Sequence, residues 1–98
     1  PNYKDALYRK ALSCLSENET GQALELLDQV ISIDPKNKLA YNAKGLAYQA
    51  QGDYKRAIGS YDRALEIDEK WQAALTGKMN CLLALGKDRE AADILSRL

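Results

Sequence analysis

The chain contains no histidine, and the first candidates for chemistry are its two cysteines, a set of lysines and scattered carboxylates. Histidine is the usual general base near neutral pH and the commonest metal-binding side chain, so its absence narrows the options at once. Cys14 and Cys81 stand 67 residues apart and match no metal-ligand spacing. The Cys14 thiol would need a neighbouring base to act as a nucleophile, and no imidazole is available. Both cysteines fall at apolar positions of a helical pattern, which predicts buried free thiols, with a disulfide or redox pair as the alternative. Lys10, Lys44 and Lys78 recur at one spacing and could hold an anion if brought into a row. The plainer expectation is that each aliphatic stem lies on apolar neighbours while its ammonium reaches water. No glycine-rich phosphate loop, nucleophile motif or metal-ligand cluster is present. The residues therefore predict no enzyme, no cofactor and no metal.

Charge adds a second exclusion. Fourteen basic residues balance 14 acidic ones over 98 residues, so no global field favours nucleic acid or an anionic membrane. Lys55, Arg56 and Arg63 gather in one stretch, but Asp62 and Glu66 accompany them, which describes a solvated mixed-charge face. Apolar runs are short and interrupted by charge, so no membrane insertion is expected. No secretory signal is visible, and a start at Pro1 leaves room for an upstream segment. A reducing, cytoplasmic setting is the default for such a composition.

What remains is a repeat. Ala23, Ala57 and Ala91 stand 34 residues apart, and their surroundings recur with them. Leu7, Tyr41 and Leu75 coincide in that frame, as do Ala11, Gly45 and Met79, then Cys14, Tyr48 and Leu82. Leu27, Tyr61 and Leu95 follow, then Val30, Ala64 and Leu98. A fixed period of this size marks an array of one supersecondary unit. The frame predicts a single array over 1–98, with repeats at 4–37, 38–71 and a truncated 72–98.

Within each unit the apolar spacing is near 3.6, not 2, and turn residues divide the unit in half. Gln51-Gly52-Asp53 is such a turn, with Gly52 placed to end a helix. Asp34-Pro35-Lys36-Asn37 separates the first two units, with Asn37 suited to cap the next helix. Helices are expected near 4–17, 20–33, 38–51, 54–67, 72–85 and 88–98. Small residues at Ala11, Gly45, Ala23, Ala57 and Ala91 would let helix axes approach. Met79 breaks that series and predicts wider packing in the third unit. Tyr3 and Trp71 occupy one position just before a first helix, where they could act as hydrophobic staples.

These residues resemble the tetratricopeptide repeat, a helix-turn-helix unit of 34 residues. Tyr41, Gly45, Tyr48, Ala57, Tyr61 and Ala64 occupy its defining sites in the middle copy. Lys44 stands where the family usually has Leu, and Glu69 where the first copy keeps Pro35. The resemblance implies an all-α, right-handed superhelical solenoid of three antiparallel helix pairs. It also implies a protein-interaction scaffold that holds a peptide or partner helix in its concave face. The groove positions so implied are Tyr8, Leu12, Leu15, Leu39, Asn42, Leu46, Gln49, Thr76, Asn80 and Leu83. Asp5, Arg9, Ser16, Ala43, Ala50, Ala73, Gly77 and Ala84 fall on the same side. A subfamily binds acidic chaperone tails through a carboxylate clamp of Lys, Asn and Arg. Those sites here hold Tyr8, Leu12, Ala43, Ala73 and Gly77, so the cationic fork is missing. The expected partner is a protein or peptide with an apolar face.

The last helix carries an alternative. Ala91, Leu95 and Leu98 fall on a face that would receive another repeat, and arrays of this kind usually end in a polar cap. Pro1-Asn2-Tyr3 aligns with Glu69-Lys70-Trp71 and could be the tail of a preceding turn. The chain is then a piece of a longer array, or a self-associating homo-oligomer that docks through this helix.

Overall fold

A computed structural model describes residues 3–98; Pro1 and Asn2, and the turn expected there, lie outside the described residues. Six α-helices follow in order: α1 (Tyr3–Ser16), α2 (Thr20–Ile33), α3 (Lys38–Ala50), α4 (Tyr54–Ile67), α5 (Gln72–Ala84) and α6 (Asp88–Leu95). The spacing of apolar residues placed all six within a few residues of their ends. The largest difference is at α6, whose regular helix stops at Leu95 and passes into a turn.

Each helix is too short to be stable alone, so packing decides the fold. α1 lies against α2, α3 against α4 and α5 against α6, and each second helix also touches the first helix of the next pair. α1 meets α3 and α3 meets α5, whereas α2, α4 and α6 do not touch one another. The first helices therefore form a continuous inner wall and the second helices an outer row that splays apart. The result is an elongated body of 44 × 25 × 17 Å.

The turns inside the pairs repeat in detail. Asn18, Gly52 and Gly86 share one repeat position and all have a left-handed backbone, with φ of 62°, 78° and 77°. Glycine takes that conformation freely, and asparagine is among the few residues that tolerate it. Asn37 caps α3 by accepting from the Ala40 N–H at 3.2 Å, and Asp53 caps α4 by accepting from the Arg56 N–H at 3.3 Å.

Tyr61 sits at the centre of the larger core cluster and is fully buried. A Cβ on Gly45 would stand 2.5 Å from its Cε1, and one on Gly77 would stand 2.6 Å from the same atom. The ring is thus held between the bare backbones of α3 and α5. The first junction uses Leu27 in the same role, with Ala11 and Ala43 where the second has Gly45 and Gly77. In the third pair Met79 takes the small-residue position and lies half-buried against the core, with Leu95 where the second pair has Tyr61.

Trp71 packs against the core just before α5, and the Lys38 ammonium lies 4.9 Å from its ring centroid. Its repeat equivalent Tyr3 is exposed.

Candidate functional site

The inner wall formed by α1, α3 and α5 carries the expected groove residues. Leu12, Leu39, Leu46 and Leu83 are 39–49% exposed, a high value for leucines on a well-packed helix. Thr76 and Asn80 are exposed on α5, while Tyr8, Leu15, Asn42 and Gln49 are half-buried between the helices. Asp5, Arg9, Ser16, Ala50, Ala73 and Ala84 are exposed as well. Two positions assigned to this side are not there to be touched. Ala43 is buried beneath Leu27, and Gly77 is buried beneath the Tyr61 ring. The reason is spacing: both lie one step round the helix from the groove stripe, on the face that meets the preceding pair.

Asn42 and Gln49 differ in how free they are. Gln49 Oε1 accepts the Tyr61 hydroxyl at 2.8 Å, so this groove residue also anchors the core. Asn42 Oδ1 is buried and is without a hydrogen-bond partner among the described residues. An acceptor left in that state costs about 1–3 kcal/mol until a donor reaches it. Burial also pushes the Tyr8 hydroxyl above its ordinary pKa, so Tyr8 remains neutral.

The lysine row has a different structure from either expectation. Lys44 pairs with Asp28 at 2.8 Å and Lys78 with Asp62 at 2.7 Å, each joining one helix pair to the next. A second series joins Lys4 to Asp34 at 3.2 Å and Lys38 to Asp68 at 2.7 Å. The Lys38 hydrogen bond holds the Asp68 carboxyl below the usual carboxylate range. The sequence held the signal: Lys44 and Lys78 recur in register with Asp28 and Asp62, and Lys4 and Lys38 with Asp34 and Asp68. Only Lys10 of the first row is exposed.

The remaining candidates divide at α6. Leu95 is 60% and Leu98 43% exposed, whereas Ala91 is 2% exposed and packs inward with Ile94. Ala91 is therefore removed from the outer face expected of it. A 3.6-residue pitch rotates Ala91 and Leu95 apart enough for α5 to cover the first and not the second.

Cys14 and Cys81 are both buried and free. Among the described residues no three His, Cys, Asp or Glu side chains gather where a metal ion could bind. No helix of the described residues is long and apolar enough to cross a membrane. A cleft of about 620 Å³ is lined by Glu69, Lys70, Gln72, Leu75 and Arg97 and mixes both signs of charge.

Two family models match the sequence: tetratricopeptide repeat over residues 39–70, and TPR repeat over residues 11–52. The matches overlap over residues 39–52 and together run from residue 11 to residue 70. The chain belongs to the tetratricopeptide repeat family. Comparison with curated protein sequences gave no significant match. Solved TPR structures agree closely in fold. The Sgt2 TPR domain from Aspergillus fumigatus superposes with a TM-score of 0.93 at 21% identity, covering 99% of this chain and 64% of that one. This TPR chain thus spans less than two thirds of that domain's length. The Yersinia enterocolitica type III secretion translocator chaperone SycD, in an alternative dimer, gives 0.95 at 24% identity over 99% of this chain and 74% of that one. The second TPR of Spaghetti (RPAP3), bound to the HSP90 peptide SRMEEVD, gives 0.90 at 20% identity over 96% and 87%. At these identities the likeness establishes the TPR fold. The repeat is a protein-interaction scaffold, and nothing in the family match or the fold points to an enzyme.

Proposed function

We propose that this TPR chain is an adaptor whose inner wall captures a peptide or partner helix through an apolar face. The observation that carries the reading is the set of half-exposed leucines, Leu12, Leu39, Leu46 and Leu83, on the three inner helices. Tyr8 and Leu15 extend the apolar surface, while Asn42, Gln49, Thr76 and Asn80 supply polar contacts that fix orientation. Both thiols are free, which fits a reducing cytoplasmic setting.

An acidic tail like the HSP90 peptide of the Spaghetti complex is a poor fit. The five clamp positions carry no cation here, and Ala43 and Gly77 are buried under Leu27 and Tyr61. Among the described residues assigned to this side the one cation is Arg9, and it stands at the repeat position of Ala43 and Gly77, off the groove stripe. Covering about 400 Å² of apolar surface contributes roughly 10 kcal/mol gross at ~25 cal/mol/Å². Association costs about 4–15 kcal/mol, comparable to that gain, so modest affinity is expected.

The test is selection of a displayed random-peptide library on the chain and on its Leu46→Glu variant. Amphipathic peptides with an apolar face should be enriched and should lose binding to Leu46→Glu. Enrichment of acidic C-terminal tails, or binding indifferent to Leu46→Glu, would show that the wall has been assigned wrongly.

A further inference from the structure

Corresponding clefts open in the second and third helix pairs, about 350 Å³ and about 320 Å³ in volume. Their linings differ in charge. The cleft of the third pair holds Glu90 and Asp93 beside Lys78 and Lys87, together with Leu82 and Ile94. At the same repeat positions the second pair has Arg56 for Glu90, Gly59 for Asp93 and Ser60 for Ile94. Tyr48 stands in place of Leu82, and Lys44 in place of Lys78. Tyr41 and Arg63 complete a lining with three cations and no carboxylate. The first copy has Gln22, Glu25, Leu26 and Gln29 where this cleft has Arg56, Gly59, Ser60 and Arg63. The full cationic set therefore belongs to the middle repeat alone.

Gly59 has no packing reason. It lies inside α4, where glycine destabilises a helix, and a Cβ there would meet nothing within 4 Å. Its effect is to leave the lining bare between Arg56 and Arg63, where the other copies place the carboxylates of Glu25 and Asp93. Ser60 brings a buried hydroxyl where the other copies have Leu26 and Ile94. Tyr41 orients Arg63: its ring centroid lies 5.2 Å from the guanidinium carbon, and its hydroxyl accepts from Nη2 at 3.5 Å while donating to the Pro35 carbonyl at 3.2 Å.

Each cation has a carboxylate neighbour outside the lining. Asp28 lies 2.8 Å from Lys44, Asp53 3.5 Å from Arg56 Nε and Glu66 3.4 Å from Arg63 Nε. Those carboxylates are 38–69% exposed, so parting from them costs little. Both arginine contacts run through Nε, and a guanidinium has further donors for a second anion. A carboxylate ligand would bring one charge and nothing that these three do not already supply. A phosphate monoester brings about −1.5 to −2 charge and three acceptor oxygens, which suit two guanidinium forks.

We propose that this cleft binds a phosphate monoester, held by Arg56 and Arg63 with Lys44 and Ser60 beside them. None of its residues belongs to the inner wall: Tyr41, Lys44 and Tyr48 stand about 140–160° around α3 from Leu46. The site therefore does not rest on what the wall captures. It belongs to the middle pair, which has a helix pair on either side, so neither end of the chain leaves it open.

The test titrates inorganic phosphate, and separately a short phosphoserine peptide with its unphosphorylated form as control, into the isotope-labelled full chain at constant ionic strength. Saturable shifts should appear at the amides of Gly59 and Ser60 and at the Nε–H groups of Arg56 and Arg63. Arg63→Gln and Gly59→Glu, which install the residue types of the first copy, should each weaken binding at least about tenfold. Both positions are exposed, so the variants keep the core. Tighter binding of the phosphopeptide than of inorganic phosphate assigns the site to a phosphorylated partner; equal or weaker binding assigns it to a free phosphate. The absence of saturation at tens of millimolar phosphate overturns the proposal. Binding unchanged in Gly59→Glu, or equal shifts from acetate, overturns it as well.

Discussion

The ring of Tyr61 fills the space that a side chain on Gly77 would need, with Cε1 2.6 Å from the position of a Cβ. The two residues belong to different helix pairs, so one aromatic ring sets how closely the pairs stack. Gly77→Ala gains about 1 kcal/mol of helix propensity, yet it must push aside a fully buried ring hydrogen-bonded to Gln49. The clash should win, for a net loss of about 1–3 kcal/mol in urea unfolding. The first junction shows the remedy, Leu between two alanines. Combining Tyr61→Leu with Gly45→Ala and Gly77→Ala should therefore restore most of the loss, a coupling of about 1–3 kcal/mol in a mutant cycle. Additive losses would contradict the geometry.

Alkali should expose the same residue. Burial pushes the Tyr61 hydroxyl well above its ordinary value, with the nearby Cys81 adding to the shift. In the unfolded chain it titrates near 10. The neutral phenol therefore stabilises the fold fully below pH about 10, and that stability is lost as pH rises toward the folded pKa. Tyr61→Phe should flatten this alkaline loss while costing about 1 kcal/mol at neutral pH for the Gln49 hydrogen bond. Unfolding midpoints measured across alkaline pH on both proteins provide the check.

Much of this architecture was legible in the sequence, for particular reasons. The 34-residue register of Ala23, Ala57 and Ala91 fixes six helices because nothing but repeated packing of one unit keeps such a period. The turns at Asn18, Gly52 and Gly86 were equally readable, since only a left-handed position calls for those residues in succession. The outer face of α6 was read less well. Ala91 and Leu95 are four residues apart and look equivalent in a linear pattern, yet α5 covers one and leaves the other in water. Ala43 and Gly77 fell to the same error, because a face shared by two neighbours is decided by tertiary contact and not by periodicity. The Lys44–Asp28 and Lys78–Asp62 pairs were visible as a double register of charges but needed the stacking geometry to be joined.

Ala57 lies where α4 crosses its partner and is fully buried. Ala57→Leu should overpack the crossing and cost about 1–3 kcal/mol, read as a lowered midpoint in thermal or urea unfolding. An unchanged midpoint would mean that the helices can separate without penalty.

Asn18 holds the left-handed position that Gly52 and Gly86 occupy in the other turns, at φ 62°. Asn18→Gly should remove a steric cost and stabilise the chain by a few tenths to about 1 kcal/mol. Gly52→Ala should destabilise by about 1–2 kcal/mol for the converse reason. Both follow from unfolding curves on single variants, and a destabilised Asn18→Gly would point to a side-chain role for Asn18 in the turn.

The central claim is that ligand meets this chain on the inner wall of α1, α3 and α5. Methyl chemical-shift mapping of a library-selected peptide on the leucine-labelled chain tests it most directly. The account predicts shifts at Leu12, Leu39, Leu46 and Leu83 while the buried Leu27 and the outer Leu95 stay still. Shifts centred on the α2, α4 or α6 surface, with those four leucines unmoved, would contradict it.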